Sequence, residues 1–546
     1  MTLALELPSG DVLALLGLLV TIAAAFIAYV QLRRTPAVPK SAEQADLVHA
    51  WWESSAGGVG ARVFVGNTSE LPIYLPNVTV SHRLHGWTEK HSWPSVAGGA
   101  RVSAPVRSSV NRLVPGEPRP RSDDYRVRVL FKDDRDRFWL REQGRLERLK
   151  PELVVWAERR RVEVLRARIE LDFSGMYGIE VRFESGSPGG RFDENVEQLA
   201  AQFEAAARAG RTPDVLVGPH DWLGRLAGRG LVEPIVLTGE QRSRFSATAL
   251  AAMTHNGVLY GVPTDFDTAV LLRNTDLAPD APATVEELLA HARSINSEVP
   301  LALQVGPDGD PYHVWPLVSS AGAALFGQHP DGSWDPSKVM PGDWRGALAR
   351  LRALGDRGEQ VLRNTVDRDR AMRMFVERRT PYLVCASRSL NDVDEVNRDL
   401  PSDRQLRIGA SPVPGFANGA PARPFTSVYG VYVPKAAPNK ALAVDLVGEY
   451  LAREDVGLTL AALERRPPVL RSALDTFRPD DPVRVYIEEC HRGLVMPAFP
   501  FMKDVWLAVG EAERKAIAGA APVKLADILR RDVTRHARQV RHTGTK

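Results

Sequence analysis

Cysteine is nearly absent: Cys385 and Cys490 are the only two in 546 residues, which excludes a dense disulfide framework and any four-cysteine metal site. Cys385 lies in the apolar run 381–387, which reads as a buried strand, so its thiol is expected to be structural. An excess of one charge sign is also missing. Seventy Lys and Arg against 67 Asp and Glu leave a formal net charge of +3, and such a balance gives no electrostatic reason for a nucleic-acid partner. The His220–Asp221 pair has no Ser or Cys nucleophile motif beside it, so the chain is not read as an enzyme. The Asp-Gly-Asp run at 308–310 lacks the further acidic ligands of a calcium loop and reads as a plain turn. No cofactor or metal is implied.

What is present begins with one long apolar run. Val12–Val30 carries no charge and comes close to the roughly 20 residues a helix needs to cross a bilayer, so a transmembrane helix is expected over 12–32. The first ten residues hold no Lys or Arg, unlike the start of a cleaved secretory signal, and no cysteine follows the run to accept a lipid. Arg33, Arg34 and Lys40 come next, and the positive-inside tendency puts whatever follows them in the cytoplasm.

After a linker over 33–50, residues 51–149 show short alternating segments (61–67, 74–84, 100–106 and 124–133) separated by turns rich in Gly, Pro and Asp. That pattern predicts a small antiparallel β domain of immunoglobulin-like, sandwich character. Its Trp51, Trp52, Trp87 and Trp139 read as core or turn packing rather than a binding face. The stretch 115–121 reads as an exposed loop.

From Leu153 the pattern becomes strand, helix, strand, helix. Leu153–Trp156 is a short apolar run; Val162, Leu165, Ile169 and Phe173 recur at helical spacing before a Gly stop; Ile179–Ser185 alternates as a strand. A βαβ opening follows, with a right-handed crossover. The helix of residues 195–210 ends in Gly before the strand Pro213–Val217. The polar-aromatic loop after that strand would sit at the carboxyl end of a parallel strand, where open α/β sheets hold ligands.

Six patches continue this order: 153–156, 213–235, 256–277, 311–326, 423–451 and 492–509. Together they resemble the maltose and maltodextrin-binding proteins, extracellular solute-binding proteins of carbohydrate ABC transporters, over residues 150–540. The resemblance implies an α/β periplasmic-binding-protein fold: two lobes joined by chain crossings, closing over ligand by hinge bending. It implies a first lobe of about 150–266 with 431–480 and a second of about 267–430 with 484–540.

Residues that line up with the family's ligand contacts are Glu158, Arg160 and Arg161 in the first loop, Gly218, Asp221 and Trp222 after the third strand, and Asp267 at a crossing. In the second lobe they are Asp310, Tyr312, Arg388 and Trp506. A sugar cleft needs aromatic faces for C–H stacking and charged or amide partners for hydroxyls. This set departs from the family at Gly218 and Arg388, where it has tryptophan, and at Gly510, where it has a basic residue. Trp222 is expected to restore a stacking surface from another direction. The Glu-Arg-Arg-Arg loop at 158–161 offers no Gly for close approach; its arginines suit an acidic sugar, a phosphorylated ligand or no ligand.

Two functions follow. One is a membrane-anchored carbohydrate-binding protein that delivers an oligosaccharide to an ABC permease, with the lobes outside the membrane. The other is a cytoplasmic sensor or scaffold on the same fold with a degraded sugar site. The charges after the apolar run favour the second, and family precedent favours the first.

Overall fold

The computed structural model describes residues 43–54, 61–82, 88–106, 125–184, 196–330 and 332–543. The apolar run Val12–Val30, the basic residues after it, Trp87 and the loop 115–121 lie outside them. Among the described residues no helix is long and apolar enough to cross a membrane. The chain divides into two compact units and passes from one to the other between Arg148 and Leu149.

The smaller unit is all β. Val48–Ser54 pairs antiparallel with Ala61–Asn67, which pairs antiparallel with Arg101–Val106. A second sheet runs in the order Thr88–Ser92, Ile73–His82, Tyr125–Lys132, Phe138–Glu142, Arg145–Leu149, with Ser95–Val96 on Ile73–His82. Alternation buries Val63 and Val65 of the first sheet and Val78, Val80, Val129 and Phe131 of the second. The first strand begins at Val48, so the linker expected to reach residue 50 ends earlier, where His49 and Ala50 join the ladder. The tryptophans pack. Trp51 stacks on Phe64 at 5.4 Å, Trp52 lies 4.1 Å from Tyr125, and Trp139 donates Nε1–H to the buried Asp133 at 2.9 Å.

The larger unit is α/β. Its main sheet runs Glu180–Glu184, Glu152–Trp156, Val215–Pro219, Phe425–Tyr432, Gly261–Asn274, Tyr382–Ala386, Ala302–Leu303. Glu152–Trp156 is parallel to both of its neighbours, as a βαβ opening requires. Its crossover helix Arg159–Ile169 continues through Glu170–Tyr177 and stops at Gly178, whose φ of 60° is the left-handed conformation that ends helices. Val162, Leu165, Ile169 and Phe173 are all buried, which is what their spacing demanded.

One strand serves both ends of this sheet. Gly261–Asn274 pairs with Phe425–Tyr432 up to Thr268, and from Ala269 onward with Tyr382–Ala386. In that second part successive residues face two separate cores. Ala269 and Leu271 join the cluster around Trp315, Trp344 and Val505, while Val270 and Leu272 join Phe375, Cys385 and Tyr486. A strand covered on both faces has no polar side, so it reads as a continuous apolar run. The same strand changes register between Pro263 and Asp265. Such a bulge re-aims the side chains beside it.

Candidate functional site

Three loops and two strands meet where Gly261–Asn274 passes from one half to the other. Glu158 is the N-cap of Arg159–Ile169, and Arg388 is the N-cap of Ser389–Arg398; neither side chain caps its own helix. The bulged strand contributes Asp265 and Asp267, Phe425–Tyr432 contributes Ser427 and Tyr429, and the turn after Glu454–Glu464 contributes Arg466.

These side chains form a buried ionic network. Arg161 forks onto Asp265 with two bonds of 2.8 Å and approaches Glu464 at 3.5 Å. Arg466 pairs with Glu464 at 2.8 Å and reaches Asp265 and Asp267 at 3.4 Å. Burial works against the Asp265 carboxylate, yet Arg161 and Arg466 hold it below the usual range. Burial lifts Glu464 against the pull of the same two arginines. Tyr429 lies between the cations, its ring centroid 3.7 Å from the Arg161 guanidinium carbon and 5.3 Å from that of Arg466. Both contacts are of cation–π kind. Its hydroxyl donates to Glu158 Oε1 at 3.1 Å.

Several expected ligand contacts are thus engaged internally. Arg161 is bound to Asp265. Asp267 accepts from the backbone N–H groups of Thr268 and Ser387, both at 2.9 Å, as well as facing Arg466. Asp310 caps Pro311–Ser320 through the His313 N–H at 3.0 Å, and also contacts the His313 ring and Gln304. Asp221 lies half-buried in the turn after Val215–Pro219, close enough to Tyr432 to oppose ionisation of its phenol.

The expectation for Trp222 needs correcting. Its indole is 1% exposed and lies over Gly218, where a Cβ would meet the ring at 2.1 Å. Glycine at 218 makes room for that ring, so Trp222 packs inward and offers no stacking face. Gly510 has a similar explanation: a Cβ there would approach the Asp308 carbonyl oxygen to 2.7 Å, because the 308–310 turn lies directly on the helix.

Less committed are Glu158, Tyr312, Arg388 and Trp506, all half-buried. The Tyr312 hydroxyl is 3.5 Å from Ser427 Oγ, a long contact. Trp506 meets Phe425 edge-on at 5.3 Å, and its buried Nε1 has no hydrogen-bond partner. Arg388 has no carboxylate within ion-pairing distance among the described residues. Sequence reasoning missed Tyr429, Glu464 and Arg466, which do most to fill the crossing; the adjacent arginines at 465–466 after a helix were the available signal.

Two further contacts tie the halves together beside this network. Val428 N–H donates to His220 Nδ1, and His220 Nε2–H donates to Met496 O, both at 3.0 Å. Burial keeps this ring neutral, with its pKa lowered to about 4. Gly224 packs against the Ala498 carbonyl so closely that a Cβ would lie 1.8 Å from the oxygen. Among the described residues no cluster of His, Cys, Asp and Glu could hold a metal ion.

Comparison with known proteins places this arrangement. Residues 173–483 match the profile of the bacterial extracellular solute-binding proteins. A maltotriose-binding protein of Pyrococcus abyssi is 26% identical over 325 residues, covering 57% of this chain and 67% of that protein. A galactooligosaccharide-binding protein of Bacillus subtilis is 22% identical over 410 residues, covering 72% of this chain and 91% of the relative. The solved structure of the Thermus thermophilus maltotriose-binding protein bound with maltotriose superposes with a TM-score of 0.59 at 24% identity, covering 70% of this chain and 99% of that one. The fold is therefore the two-lobed α/β fold of those proteins.

Proposed function

The chain belongs to the bacterial extracellular solute-binding protein family, and from that premise we propose that it binds an oligosaccharide in the groove between its lobes, on behalf of an ABC-type transporter. The observation that supports this reading is that Trp506 packs on Phe425, Tyr312 approaches Ser427 and Glu158 bonds Tyr429, three alternate residues of one strand, with Arg388 in the field of Glu158. Trp506 supplies an aromatic face, and Tyr312, Glu158 and Arg388 supply hydroxyl partners. The relatives are named for binding maltotriose and galactooligosaccharides, which supports a carbohydrate and a non-enzymatic role.

The uncharged run Val12–Val30 supports a membrane-anchored form of such a protein. A second reading has its own observation. Arg33, Arg34 and Lys40 directly after the run favour lobes facing the cytoplasm, where the protein would serve as a sensor or scaffold. A reporter fused to the C-terminus, active on only one side of the membrane, separates the two; cytoplasmic activity rules out delivery to an importing permease.

Calorimetric titration tests the binding itself, using the full chain in a detergent without a sugar headgroup. Saturable binding of one oligosaccharide per chain is expected, with loss of most affinity in Trp506→Ala. A Trp506→Ala protein that melts normally and binds unchanged would remove Trp506 from the site.

A further inference from the structure

Among the described residues around the crossing, Arg388 is a cation that the protein itself leaves unmatched. Arg161 and Arg466 are neutralised by Asp265, Asp267 and Glu464, and Arg368 by Asp392 and Asp369. Arg388 has no such partner. It is half-buried, and the charged neighbours that act on it are Arg368, Glu158 and Arg466. Burial, then the like charge of Arg368, weaken its hold on the proton, the reverse of a paired arginine such as Arg161. Beside it, the fully buried Ser387 Oγ also lacks a hydrogen-bond partner.

A desolvated guanidinium without a counter-ion is costly. Its planar fork of donors matches the paired oxygens of a carboxylate or phosphate. Glu158 faces it from the other lobe but is held by Tyr429 and does not reach it. Resting on the reading of this groove as a carbohydrate site, we propose that Arg388 receives an anionic substituent of the ligand, so that the protein selects an acidic sugar, one bearing a carboxylate or a phosphate, over its neutral counterpart.

The test is calorimetric titration of the full chain in a sugar-free detergent with three probes: maltotriose, trigalacturonate and maltose 1-phosphate. At least one acidic probe is expected to bind about 10-fold or more tighter than maltotriose, and which one does so separates carboxylate from phosphate. Arg388→Gln should weaken that acidic probe by about 10- to 100-fold, the value of a lost charge-assisted pair, and weaken it more than maltotriose. Glu158→Gln, which removes the opposing negative charge, should strengthen the same probe and gives an independent readout if Arg388→Gln fails to fold. Equal binding of neutral and acidic probes, or an acidic preference that survives Arg388→Gln, overturns the inference while leaving the carbohydrate reading intact. No binding by any of the three overturns both.

Discussion

At the scale of single residues, the crossing is governed by where buried charges find partners. Removing Asp265 takes away the forked partner of Arg161 and leaves Arg161 and Arg466 to share Glu464, with Asp267 on Arg466 alone, so Asp265→Ala is expected to destabilise the larger unit by about 3–5 kcal/mol, seen as a lower midpoint in thermal unfolding. Adding Arg161→Met should recover part of that loss, because the cation left short of negative charge goes with it. Glu513 is the opposite case. It is fully buried, both carboxylate oxygens lack partners, and burial, with the nearby Asp310 charge adding to it, raises its pKa well above the ordinary 4.5. The folded chain keeps this carboxyl protonated while the unfolded chain ionises. Its contribution is therefore intact below about pH 4.5 and is lost as pH rises toward the folded value. Glu513→Gln should melt several degrees higher than the natural chain at pH 8 and equally near pH 4. A constant difference across that range would show that Glu513 is not the group responsible. None of this was legible in the sequence, since a glutamate on a helix looks the same whether it meets solvent or core. Trp222 failed for a related reason: its reading depended on the side of the loop it faced, which Gly218 decides.

At the scale of elements, the order of strands and helices was largely legible, because burial repeats with the period of the backbone. The helix through Val162 to Phe173 and the buried strand around Cys385 lie where their spacing put them. Burial on both sides also raises the Cys385 thiol to about 12, which fits the structural role expected of it. The bulge at Pro263–Asp265 was not legible, since it depends on a partner strand more than 160 residues away. It matters because it sets Asp265 and Asp267 toward the ionic network. The approach of Leu223–Gly228 to the Ala498 segment was equally hidden, and it gives a test of how the halves are held. Gly224→Ala would push its methyl group into a backbone oxygen, so the segments must separate; a loss of about 1–3 kcal/mol is expected, with weaker ligand binding. An unchanged melting point and affinity would mean that this contact is not needed to hold the segments together.

At the scale of the whole molecule, six weak patches in one order identified the architecture better than any single motif, because each patch belongs to an element that the fold needs at that place. What the sequence could not convey is how much of the groove the protein fills with its own charges. Residues lined up by resemblance as ligand contacts, Arg161 and Asp267 among them, are taken up in the network that joins the halves. The proposed ligand surface is narrower, formed by Glu158, Tyr312, Arg388 and Trp506. Hydrogen–deuterium exchange of the full chain, with and without a saturating sugar, tests that surface most directly. Ligand should slow exchange at 156–161, 386–390, 426–430 and 502–507, with little change on the outer helices; protection confined to those outer helices or to the small β unit would contradict a ligand held between the lobes.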